Sequence, residues 1–246
     1  VTRALERLPA GYAEFVRYAF PPNELGYCGP ADSTVLLTEG SAAELAAHAR
    51  EFDGAWPYLG AIADAAGVAD PLDVAVVRNY WVGGPLLAAV DPGALLSRLR
   101  SAFAGQVTGL LDALEPGEAL AHHSFHVFVV YPWIRFLDRG VEKPVQVMQD
   151  CRIRWGTVES VHDDHAVISS QPLTFTDGML TLGDPVHERV RWRRDGTSLA
   201  PPPVPGQLVT AHWDWLCGSA SGDEADACAM ATQASLDIVN AARNRA

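Results

Sequence analysis

Over the first 140 residues apolar positions recur mostly at helical spacing, and from about residue 146 they begin to alternate. Leu5, Leu8, Tyr12, Phe15, Val16 and Ala19 trace one face of a helix over 3–19, interrupted by Pro9 and Gly11. The stretch Phe20 to Pro30, with Pro21 and Pro22 at its start, is expected to be neither a regular helix nor a central strand. Alanine-rich helices are predicted over 42–52 and 54–66. Another begins at Asp70-Pro71 and ends at Gly83-Gly84, and a longer one runs from Asp91-Pro92 to Leu114. Glu118 to Leu137 is apolar and broken by Pro132, which predicts a kinked helix or two pieces. Val145, Val147, Cys151, Ile153, Trp155, Val158 and Val161 then fit an extended run. Further strands are predicted at 166–168, 186–193 and 207–213, and a closing helix at 224–242. The expected fold is α+β, with a mostly helical domain over 1–140. A small antiparallel β-barrel plus C-terminal helix follows over 145–246.

Composition narrows the function classes. Of 246 residues, 48% are hydrophobic and 20% charged, so a real core is available, and the formal charge is −12. That charge argues against nucleic-acid binding and against docking on anionic lipid. No run of eighteen apolar residues occurs, so no membrane insertion is expected. Val1 to Glu6 lacks the basic start and apolar core of a signal peptide, and the expected location is cytoplasmic. The cysteines, at 28, 151, 217 and 228, form no CxxC pair and suit thiols or ligands better than a disulfide framework.

Candidate chemistry lies in three places. Cys151 and His212 stand at the two ends of the strand-rich segment, and a thiol with an imidazole makes a soft-metal pair. Cys28 sits in the loop Tyr27-Cys28-Gly29-Pro30. Asp32-Ser33 beyond it is a candidate N-cap that would place the thiol near a helix N-terminus and favour its thiolate. His122 and His126 are four apart and would share one face of a helix, a spacing that chelates metal. HExxH is absent, which removes the metalloprotease reading. Trp213 and Trp215 flank Asp214 and could shield a site or form a partner-docking face. Each of these groups has a plainer account, as a buried thiol, a hydrogen-bonded histidine or a core indole.

Cys151, Gly156-Thr157-Val158, Gly206-Gln207-Leu208-Val209-Thr210-Ala211-His212 and the helix over 224–242 resemble the small hydrogenase-assembly chaperones. Those proteins carry the iron–cyanide–carbonyl unit for nickel–iron hydrogenases. The resemblance implies iron handling by Cys151 and His212, although the family's cysteine is N-terminal and Cys151 is internal. The whole chain is also similar to an uncharacterised bacterial family associated with hydrogenase gene neighbourhoods. The stretches that carry this similarity are Phe20 to Pro30, His126 to Trp133 and His212-Trp213-Asp214.

The expectation from this resemblance is an accessory protein for hydrogenase maturation. It would dock hydrogenase subunits or assembly proteins and hold iron transiently. One alternative is a transition-metal or haem enzyme using His122, His126 and Cys28, and another is a scaffold without chemistry.

Overall fold

The computed structural model describes residues 3–37 and 41–245, so Val1 and Thr2, part of the N-terminal reading above, lie outside the described residues. Helices α1 (Arg3–Arg7), α2 (Ala10–Glu24), α3 (Ala42–Ala49), α4 (Trp56–Ala66), α5 (Val74–Trp81) and α6 (Pro92–Ala102) build the first half. Their starts follow local chemistry. Ser41 and Glu44 form a capping box on α3, Asp73 caps α5, and Asp91 with Pro92 opens α6. α5 packs between α2 and α4, burying Val76, Val77, Tyr80 and Trp81.

Two segments differ from the sequence expectation in ways that matter for the site. α2 continues through Pro21 and Pro22 to Glu24 instead of stopping before them. Prolines are tolerated there because they fall in the last turns, where only their own two ladder bonds are lost. Residues expected to extend a strand through Val145, Val147 and Cys151 instead form a helix, α8 (Lys143–Cys151), with Pro144 in its first turn. Pro144, Val147, Met148 and Cys151 all face inward, a helical period that outweighs the apparent alternation. Between α6 and α8 the chain forms the three-residue α7 (His123–Phe125). A π turn over His126–Val130 and a 3-10 segment over Pro132–Arg139 follow.

The strands are β1 (Arg154–Val161), β2 (His165–Ser170), β3 (Leu173–Thr176), β4 (Met179–Leu182), β5 (Val186–Arg191), β6 (Leu208–His212) and β7 (Trp215–Ser219). Five of them follow in the order β5-β2-β1-β6-β7 with every neighbour antiparallel. β5 and β7 meet through a single parallel pair, Arg191 with Trp215, beside which the Arg191 amide donates to the Asp214 carbonyl at 2.6 Å. The expected antiparallel β-barrel is therefore corrected to a mixed sheet, whose ring β1-β2-β5-β7-β6 closes only through that one parallel pair. The parallel pair arises because the connection between β5 and β6, which carries Pro201-Pro202-Pro203, delivers β6 beside β1 and leaves β7, antiparallel to β6, to meet β5. β3 and β4 stand apart as a two-stranded hairpin turned at Asp177-Gly178, both at positive φ.

α9 (Gly222–Arg245) closes the chain. One hydrophobic cluster runs from Leu5 to Ala242 and crosses residue 140 without a break, joining helices to sheet. A smaller cluster fills the inside of the rolled sheet with Val158, Ile168, Val190, Val209 and Leu216. Among the described residues no helix is long and apolar enough to cross a membrane.

Candidate metal centre

Three local structures bring His123, Cys151 and His212 together where the helices meet the sheet. Cys151 is the last residue of α8, so its carbonyl lacks an intrahelical partner and lies at the negative end of a nine-residue helix. His212 ends β6. The hairpin tip beyond it is fastened to the end of α8: the Trp213 amide donates to the Asp150 carbonyl at 2.7 Å, and Arg154 bonds to the carbonyls of Asp150 (2.9 Å) and Trp213. Arg154 is itself buried and paired with Glu188 at 3.1 Å. Trp213 holds a left-handed backbone (φ 51°), a costly conformation for a bulky residue that this fastening maintains. His123 comes from α7, which Ser124 anchors to Thr232 of α9 through a 3.1 Å hydroxyl contact.

One ligand atom from each of His123, Cys151 and His212 lies within 4.8 Å of the others, and all three residues are buried. Cys151 Sγ is 3.9 Å from His123 Nε2. A metal held at ordinary zinc–sulfur and zinc–nitrogen lengths with tetrahedral angles sets such atoms about 3.6 Å apart, so this pair needs only a small contraction.

The hydrogen bonds around the two imidazoles leave the inner nitrogen of His212 available and engage that of His123. His212 Nδ1 lies 2.7 Å from the carbonyl of Tyr18, which only accepts, so Nδ1 carries the proton and Nε2 presents a lone pair. That Nε2 is buried without a hydrogen-bond partner. The Tyr18 carbonyl is free for this role because the i+4 residue is Pro22, which has no N–H to give it. His123 shows a proton deficit. Tyr80 Oη lies 2.7 Å from the Gly54 carbonyl and 3.1 Å from His123 Nδ1, while His123 Nε2 lies 2.8 Å from the Cys151 carbonyl. Three contacts share two protons when both rings are neutral. If Tyr80 donates to Gly54, His123 Nδ1–H donates to Tyr80, and Nε2 turns a lone pair toward Cys151. A cation at that point removes the deficit.

Burial keeps these groups neutral. It lowers the His212 pKa to about 3, helped by Arg154, and pushes that of His123 well below the usual value, helped by His212 and His126. Burial also drives the Cys151 thiol well up, reinforced by Cys28 and Asp150, while the Trp213 indole N–H and Arg154 pull it down. A metal is the partner that would hold this sulfur as thiolate inside the protein.

The other sequence candidates fall elsewhere. His122 is the N-cap of α7, its Nδ1 accepting the Ser124 amide at 3.1 Å, and it shares no helix face with His126. α7 is three residues long, and His126 begins the π turn that aims it at Tyr58, 3.3 Å away. The helix expected after Asp32 is only a 3-10 turn over Ser33–Leu36, so Cys28 has no helix N-terminus to stabilise a thiolate. Its thiol instead meets Tyr131 Oη at 2.8 Å, and burial raises its pKa. Trp213 and Trp215 are 7% and 0% exposed, so neither is presented to a partner. Trp215 packs edge-on against Phe20 and donates to Glu24 at 3.1 Å. Trp81, which covers the centre at 4.5 Å from the His123 ring and 5.6 Å from the His212 ring, carried no signal in the sequence reading.

A family model described as a family of unknown function, DUF6390, matches residues 7–246. The chain belongs to that family. No curated protein and no solved structure in the comparisons matches it. The match spans all three segments that form the centre of this DUF6390 chain.

Proposed function

We propose that this protein holds a resident transition metal through His123, Cys151 and His212. The observation that carries the reading is the buried, partnerless Nε2 of His212, converging with a thiol and a second imidazole inside 4.8 Å. Isolated buried acceptors are rare and costly, and a cation satisfies this one together with the proton-short link at His123. Two imidazoles with one sulfur suit zinc, copper or iron better than calcium or magnesium. Three protein ligands leave a coordination position open, and a metal bound there supplies Lewis acidity or, for copper and iron, one-electron chemistry. Around it the protein's own groups act in defined ways. Tyr80 and the Tyr18 carbonyl orient the imidazoles, Trp81 excludes water, and the end of α8 offers negative potential.

A transition-metal protein is favoured over a transient iron carrier for hydrogenase assembly. Handing a metal to a partner requires an accessible sulfur, and Cys151 is 0% exposed. The test is metal analysis after anaerobic purification and after loading with zinc, cobalt or cuprous ion. One equivalent per chain is expected in the native protein, falling to background in Cys151→Ala and in His212→Ala. Background content in the folded native protein under all loading conditions would sink the proposal. Co-purification of hydrogenase subunits, with the infrared bands of iron-bound cyanide and carbonyl lost in Cys151→Ala, would favour the carrier.

A further inference from the structure

A cavity of about 350 Å³ opens to solvent, walled by Cys28, Gly54, Phe103, His126 and Tyr131, with Glu51 and Asp53 on its lining and none of the three centre ligands reaching it. Both carboxylates are exposed, and among the described residues no lysine or arginine lines the space. The local field, like the net charge of −12, favours cations. Further in, the walls change from hard oxygen donors to sulfur and nitrogen. His126 is 4% exposed, uses Nδ1 toward Tyr58, and turns Nε2 toward Gly54. A Cβ at residue 54 would come within 2.9 Å of that nitrogen, so glycine keeps the approach open.

Cys28 is held at the cavity wall by construction. Asn23 donates to the carbonyls of Cys28 (2.8 Å) and Pro30 (2.7 Å), and Gly29 at φ 80° lies against Phe52 where no side chain fits. Tyr131 Oη donates to the Tyr27 carbonyl at 3.1 Å and so accepts from the Cys28 thiol, whose sulfur lone pairs stay free. His126 and Gly54 link the cavity wall to the centre. The His126 ring stacks 6.4 Å from that of His123, and Gly54 accepts from the Tyr80 hydroxyl that orients His123.

We propose that this cavity is the loading route of the metal centre, with Cys28 Sγ and His126 Nε2 as transit ligands that pass a borderline cation from the Glu51/Asp53 rim to His123, Cys151 and His212. The inference rests on the metal-centre reading above. Only ligand exchange is involved. The hydrated cation loses water as it binds Cys28 and His126, and the thiol proton leaves to solvent. These two bonds then break as bonds to the inner three ligands form; the Cys151 thiol loses its proton and the released Cys28 thiolate regains one, so the step is proton-neutral. No electron is transferred.

The test is stopped-flow uptake of Co²⁺ by metal-free protein, read from the thiolate-to-cobalt charge-transfer band, with circular dichroism checking the fold of each variant. Cys28→Ser and His126→Gln should each slow uptake by about tenfold or more, as loss of a guided approach does, while the final cobalt content stays at one per chain. Glu51→Gln with Asp53→Asn, on the exposed rim, should slow uptake and flatten its dependence on salt. Wild-type rates in folded Cys28→Ser and His126→Gln would overturn the route and leave the centre standing. Loss of final content in Cys28→Ser would also overturn it, by making Cys28 a resident ligand. If native protein takes up no cobalt, the centre itself falls and the route with it. Should Cys28→Ser fail to fold, the rim variant decides alone, an unchanged rate and salt dependence refuting the route.

Discussion

Lowering the pH should unfold the metal-free protein, because four histidines are buried as neutral rings. Burial lowers His122 to about 4 and His126 and His212 to about 3, and holds His123 well below the ordinary value of 6.5. Above pH 6.5 both folded and unfolded chains carry neutral rings, and this contribution to stability is present in full. As pH falls below 6.5, the unfolded chain takes up protons that the folded one cannot, so stability drops until the folded pKa values are reached. Between pH 7 and pH 5 His122, His126 and His212 each lose about 2 kcal/mol, together about 5–6 kcal/mol, and His123 adds to the loss in the same direction. A domain holds only about 5–15 kcal/mol in total, so most of the margin goes over this interval. Urea unfolding followed by tryptophan fluorescence, in chelator at the two pH values, measures the difference. A loss under about 2 kcal/mol would refute the premise that these rings are buried and neutral.

Other substitutions test separate parts of the argument. Tyr80→Phe removes the hydroxyl that orients His123, and metal affinity should fall about 10–100-fold by chelator competition with the fold intact; unchanged affinity would remove Tyr80 from the support. Arg154→Met leaves Glu188 unpaired and frees the hairpin tip from α8, costing about 3–5 kcal/mol in urea unfolding, and a cost below about 1 kcal/mol would contradict its role as a fastening. Gly11→Ala drives a methyl into the backbone at Leu72, Asp73 and Val74, and the crowding should cost at least about 1–3 kcal/mol, visible as a lowered melting temperature.

Much of the helical half was legible because its caps are written in local chemistry, as Ser41 with Glu44 and Asp91 with Pro92 show. The closing helix was legible for the same length of pattern, while the stretch before β1 was misjudged. Val145 and Val147 suggested alternation, yet Pro144, Val147, Met148 and Cys151 have helical spacing and a proline in the first turn. Cys151 and His212 drew attention through their residue types, but nothing local says that they meet. That depends on the Arg154 fastening and on a strand order set far along the chain. The i,i+4 spacing pairs His122 with His126, leaving out His123, only if one continuous helix carries both. The β-branched Val127, Val129 and Val130 leading into Pro132 were the available warning against such a helix. Pro22 was noticed as a helix breaker, and its consequence, a free Tyr18 carbonyl for His212, needed the third dimension.

X-ray absorption at the metal edge, on protein loaded with one equivalent of zinc, tests the central claim most directly. The account predicts one sulfur at about 2.3 Å and two imidazole nitrogens at about 2.0–2.1 Å, the sulfur shell disappearing in Cys151→Ser. A first shell of nitrogen and oxygen alone in the native protein, with no sulfur scatterer, would contradict it.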